Sequence, residues 1–141
     1  PKIIPAFSLN SNEAINLLED KTPKLSSRIS AIKKLQESGW DVGLRFDPFI
    51  WINEKKKISL FFNKIFSDLN SKKIHSITIG KLRMPKGYFK KILKINPKDT
   101  FLLENYLRNN FKSLQEENEL KKENLRQILS YFIDEKKIFL N

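Results

Sequence analysis

Three strand-length apolar runs in the first eighty residues are separated by segments whose apolar residues recur at helical spacing, and this rhythm restricts the fold more than any other feature. Ile3 to Leu9 is a mostly apolar run, as expected for a parallel strand covered on both faces. Asp41 to Phe49 reads as the second strand and His75 to Ile79 as the third. Between them lie helical stretches with short connections. Strand, helix, strand, helix, strand is the order that builds a parallel sheet through right-handed crossovers. The expected fold class is α/β, a partial (β/α) barrel of parallel strands over residues 1–95. A mostly helical carboxyl-terminal region with a short terminal strand is expected over residues 96–141. With 141 residues, the chain falls short of the roughly 250 that a closed eight-stranded barrel needs.

Local signals set the expected boundaries. Asn10 and Ser11 offer caps, with Glu13 three residues after Asn10, for a short helix through Leu18. Thr22-Pro23 opens a second helical stretch, because proline is tolerated in a first turn. Leu25, Ile29, Ile32 and Leu35 form its buried stripe, and Gly39 supplies the stop. Ile58, Phe61, Phe62, Ile65, Phe66 and Leu69 mark the apolar face of the next helix. Met84-Pro85-Lys86-Gly87 reads as a turn, Tyr88 to Leu93 as a helix broken by Asn96-Pro97, and Lys112 to Ile133 as a long helix.

Composition narrows the chemistry. Cysteine is absent, which excludes disulfides, thiolate metal sites and iron-sulfur ligation by these residues. No apolar run approaches a membrane span, so a soluble, cytoplasmic protein without a membrane partner is expected. The chain opens at Pro1 on apolar sequence, without initiator Met, basic cluster or cleavage site, and reads as one entered midway. A formal charge of +11 fits an anionic partner such as DNA. Compositional drift is the rival explanation, since lysine far outnumbers arginine, the better fork for phosphate.

Alternation along the strands sorts their side chains into two faces. Phe7, Leu9, Leu44, Phe46, Ile77 and Ile79 fall on one, suited to packing against helices. The other carries Ala6, Ser8 and Asn10, then Gly43, Arg45 and Asp47, then Ser76, Thr78 and Gly80. Small and polar groups on one side of three consecutive strands point to a binding site at the carboxyl ends, where barrels hold substrates and cofactors. The bland alternative is that Arg45 and Asp47 pair with each other in a structural core. On the strand-face argument, Asn10 and Arg45 are candidate cofactor-binding residues.

Lys81, Arg83, Lys86, Tyr88, Lys90 and Lys91 follow the third strand and combine cations with an aromatic ring, as a nucleic-acid-binding surface does. A solvated face around a helix anchor is the alternative. His75 is the only histidine and begins a strand, so a structural hydrogen bond is expected of it and no metal site. Neither a Ser-His-Asp arrangement nor a glycine-rich phosphate loop can be traced.

The ordered set Ser8-Leu9-Asn10, Leu18-Glu19-Asp20-Lys21-Thr22-Pro23, Arg28, Gly39-Trp40, Gly43-Leu44-Arg45-Phe46-Asp47-Pro48, Ile74-His75-Ser76 and Leu82-Arg83-Met84-Pro85-Lys86 resembles the spore photoproduct lyase family. These are radical S-adenosylmethionine enzymes. The resemblance covers about the first ninety residues and implies the later half of a radical S-adenosylmethionine barrel. It further implies an amino-terminal half, outside these residues, whose three cysteines bind a 4Fe-4S cluster. Such a cluster cleaves S-adenosylmethionine to a 5′-deoxyadenosyl radical, which repairs thymine dimers in DNA by radical lysis. In the family, the positions matching Ser8 and Asp47 lie beside S-adenosylmethionine. Asp47 departs from the small residue of better-known members, and the lesion-wedging Tyr- and Arg-bearing hairpin is not found. The expectation is therefore the carboxyl-terminal part of a lyase that is inactive alone, and the alternative is a free-standing basic nucleic-acid-binding module.

Overall fold

The computed structural model describes residues 3–19, 21–47, 49, 55–80, 86–95 and 122–141. Its elements are β1 (Ala6–Ser8), α1 (Asn12–Leu18), α2 (Leu25–Glu37), β2 (Val42–Phe46), α3 (Lys55–Asp68), β3 (Ile74–Ile79), α4 (Lys86–Ile95), α5 (122–130) and β4 (Ile138–Leu140). The described chain falls into two compact units, one of residues 1–81 with 126–141 and one of residues 82–125.

In the first unit, four parallel strands form one sheet in the order β1-β2-β3-β4. The strand order never reverses. Right-handed crossovers then put α1, α2 and α3, which link β1 to β2 and β2 to β3, on one face, as in a singly wound sheet. Of the expected partial barrel, the α/β class and the parallel strands are present, and the sheet is open, with β1 and β4 as its edges among the described residues. Strand β4 joins the far edge through Ile77–Ile138, Thr78–Phe139 and Ile79–Leu140.

Each boundary has a physical cause. Strand β1 is shorter than its apolar run because Pro5 has no N–H to give; its carbonyl still accepts from Gly43 at 2.8 Å. Ser11, not Asn10, caps α1, its side chain accepting from the Ala14 N–H at 3.2 Å. Helix α2 begins at Leu25, later than Thr22-Pro23 indicates, and the Leu25 N–H reaches the Asn12 side chain at 3.4 Å. It ends in a Schellman turn, with Gly39 at φ 95° and Trp40 N–H bonded to the Leu35 carbonyl at 3.0 Å. Lys86 and Gly87 open α4 instead of closing a turn, and α5 ends at residue 130.

The core lies on the helix-covered face. All six apolar positions expected of α3, from Ile58 to Leu69, are buried, together with Leu44, Phe46, Ile77, Ile79 and Ile138. Phe62 sits edge-on to Phe46 at 5.2 Å between ring centroids, and Phe66 stacks on Phe132 at 4.8 Å, joining the carboxyl-terminal segment to α3. In α2 the buried stripe is Leu25, Ile29, Ile32 and Gln36, with Leu35 half-buried. Gln36 is inside because it is satisfied there: its Nε2 donates to the Asn70 carbonyl at 3.0 Å and its Oε1 accepts from the Asn70 N–H at 2.9 Å. No helix among the described residues is long and apolar enough to cross a membrane.

Candidate functional site

In-register partners on neighbouring parallel strands point to the same side, so the strand pairing sorts the polar face into rows. Ala6, Gly43 and Ser76 make a row of small residues. Ser8, Arg45, Thr78 and Phe139 make the next, crossing all four strands. With strands about 4.8 Å apart, this row spans about 14 Å. Asp47 and Gly80 continue the face at the carboxyl ends of β2 and β3.

Gly43 is buried in the first row, and a Cβ there would lie 3.2 Å from the Ala6 Cβ, so this part of the face stays flat. Ser8, Arg45 and Asp47 are exposed, Ser76 and Thr78 half-buried. No hydrogen bond or ion pair joins Arg45 to Asp47 among the described residues, which removes the reading of the two as a buried structural pair. Both charges are open to solvent two residues apart, Arg45 on β2 and Asp47 just past its end.

Asp47 lies directly over Gly80. A Cβ built on Gly80 would stand 2.5 Å from Asp47 Oδ1, 2.6 Å from its Cγ and 2.9 Å from Oδ2. The Gly80 N–H donates to the Phe46 carbonyl at 3.1 Å, which holds the two backbones together at this point.

Asn10 is placed differently from Ser8. It is buried, and its Oδ1 is shut off from solvent without a hydrogen-bond partner among the described residues. Its side chain faces Glu19, whose carboxylate stands in a polar cluster with Thr22 and Arg28. Arg28 pairs with Glu19 and donates to Thr22 Oγ1 at 3.1 Å, to the Pro23 carbonyl at 2.9 Å and to the Ser8 carbonyl at 3.1 Å. Thr22 donates onward to Glu19 at 2.9 Å. The Arg28 hydrogen bond holds the Glu19 carboxyl below the usual glutamate range against the opposing effect of burial, with Thr22 and Asn10 adding to the lowering. This cluster pins the carboxyl end of β1, and so the backbone that carries Ser8. The motif Glu19-Asp20-Lys21-Thr22-Pro23 with Arg28 carried part of the family resemblance, but the meeting of Glu19, Thr22 and Arg28 and the Arg28 bond to the Ser8 carbonyl were not readable from spacing.

Phe139 was missed. It is 52% exposed, in the same row as Ser8, Arg45 and Thr78. Alternation between Ile138 and Leu140 was the available signal.

His75 sits at the amino end of β3, where the pairing with β2 shifts between Val42 and Gly43; its Nδ1 lies 3.1 Å from Ser76 Oγ. Trp40 is 44% exposed at the amino-terminal side, lining a shallow depression with Ile3, Ser38, Gly39 and Asp41. In the second unit, α4 turns Tyr88, Lys90 and Lys91 to solvent. Lys81 and Arg83 lie outside the described residues, as do Trp51, the Asn96-Pro97 break and residues 112–121 of the long helix; of Lys86 only the backbone is described.

No family model, curated protein or solved structure matches this chain.

Proposed function

We propose that this chain is the carboxyl-terminal part of a spore photoproduct lyase-like radical S-adenosylmethionine enzyme, acting on thymine dimers in DNA, with S-adenosylmethionine held at the carboxyl ends of its strands. The observation that carries the reading is the row of exposed Ser8, exposed Arg45 and half-buried Thr78, with exposed Asp47 beside it. Parallel sheets are ordinarily covered on both faces, and here charged and polar groups stand in the open on one of them. A singly wound sheet with one bare polar face is what a barrel segment presents before its remaining strands close over it.

The polar groups suit a zwitterionic nucleoside. Arg45 would pair with a carboxylate, Asp47 with an amino group or ribose hydroxyls, and Ser8 would give or take a hydrogen bond. Arg28, held by four acceptors, orients β1. S-adenosylmethionine supplies the radical precursor when bound. A 4Fe-4S cluster does not fit these residues: the sequence has no cysteine, and the described residues hold no group of three His, Asp or Glu able to bind a metal. Its ligands would come from outside this chain, and no step is derived through it.

Two measurements test the reading. The complete reading frame is expected to encode a Cys-x3-Cys-x2-Cys segment ahead of Pro1; a start codon immediately before Pro1 sinks the proposal. In the protein from that frame, Asp47→Ala is expected to weaken S-adenosylmethionine binding about tenfold, the size of one charge-assisted hydrogen bond.

A second reading rests on α4, whose exposed Tyr88, Lys90 and Lys91 suit a nucleic-acid-binding module. It predicts salt-dependent DNA binding that weakens when Lys86, Lys90 and Lys91 become glutamate. Binding indifferent to both salt and substitution excludes it.

A further inference from the structure

We infer that Gly80 is a positioning residue for the Asp47 carboxylate, so that the ends of β2 and β3 together form a recognition point for a hydrogen-bond donor on the ligand. The inference rests on the proposed binding of S-adenosylmethionine and assigns its amino or ribose hydroxyl groups to this point.

Three atoms of the Asp47 carboxyl group occupy the space that a side chain at position 80 would need. Gly80 is itself buried, and its N–H is tied to Phe46, the residue before Asp47. The Phe49 N–H donates to the Gly80 carbonyl at 2.7 Å, so the chain after Asp47 is fixed to the same glycine. The backbones of positions 46, 49 and 80 are therefore tied together, and the carboxylate rests over the position just past β3 that offers no side chain to push it away. Held there, it has no hydrogen-bond partner among the described residues and faces the exposed side of the sheet. An exposed carboxylate accepts and does not donate, so its complement is an N–H or O–H group. Arg45, two residues back on the same face, supplies the opposite sign for a ligand anion.

A methyl group at position 80 would meet the far end of a flexible side chain, which can swing aside at small cost. Gly80→Ala is thus expected to leave folding intact and to turn the carboxylate away from the ligand. The test is S-adenosylmethionine affinity by titration calorimetry, on the protein from the complete reading frame, for Gly80→Ala, Asp47→Ala and the double variant, with the thermal midpoint of each. The expected result is about a tenfold loss for each single variant and no further loss in the double, because neighbours acting through one interaction are not additive. If Asp47→Ala binds normally, the assignment of ligand to this point falls, and with it this inference. A weakened Asp47→Ala beside an unaltered Gly80→Ala overturns the role of Gly80 alone. A Gly80→Ala effect that persists without Asp47, or a Gly80→Ala protein that unfolds while the double variant folds, makes the glycine a packing residue and overturns its positioning role.

Discussion

Glu19 and Arg28 show how one ion pair supports a site it does not touch. Their pairing, relayed by Thr22, spans the loop between α1 and α2 and ends on the Ser8 carbonyl, at an edge strand only three residues long. A carboxylate bonded this way keeps its charge to lower pH than in the unfolded chain. Its contribution to stability is complete above the ordinary glutamate pKa of about 4.3 and disappears as pH falls through the lowered folded value. Glu19→Gln should therefore cost about 1–3 kcal/mol at pH 7 and progressively less below pH of about 4. Urea unfolding of parent and variant at pH 7 and at pH 3 checks this; an equal loss at both would mean that shape and not charge is at stake. Four of the residues involved, Ser8, Glu19, Thr22 and Arg28, stand within family-like segments of the sequence. Their convergence depends on how a loop folds back, which no periodicity records, whereas the two faces of the strands follow from alternation.

Elements were legible where one period dominates. The α3 stripe is entirely apolar at helical spacing, and its six expected positions are all buried. The face assignment of β1, of β2 and of β3 from Ser76 onward agrees with their pairing because alternation is unbroken over those residues. Two things escaped. Gln36 displaces Leu35 from the interior of α2 because a polar side chain with two backbone partners is at no disadvantage there. The shift in β2–β3 pairing leaves His75 outside the regular ladder, a matter of register that composition does not encode. The clamp on Asn70 ties the end of α2 to the entrance of β3. Gln36→Leu keeps most of the volume and leaves the Asn70 N–H and carbonyl without these bonds, so it should destabilise by about 2 kcal/mol in urea unfolding despite being more apolar. A neutral or stabilising outcome would show that water replaces the clamp freely.

At the scale of the whole molecule, the sheet has a finished side and an exposed one. Helices and the phenylalanine cluster bury one face, while Ser8, Arg45, Asp47 and Phe139 stand in solvent on the other. A face of this kind belongs either to a surface that works as it is or to the interior of a larger barrel, and the chain's lack of cysteine allows the two to be told apart. A cysteine placed at Ser8 or at Phe139 is the only thiol present, and so is one at Leu60, which is 59% exposed on α3. In this chain all three should react rapidly with a maleimide, since an exposed thiol ionises and attacks without hindrance. In the protein from the complete reading frame, with the upstream cysteines of the proposed cluster segment changed to serine, Ser8→Cys and Phe139→Cys should be protected by about tenfold or more and Leu60→Cys should not. That rate difference corresponds to an opening free energy of at least about 1.4 kcal/mol, the least expected of strands closing over the row. Equal reactivity at the three positions would make the polar rows an outer surface, and the proposed ligand would then have no enclosing wall.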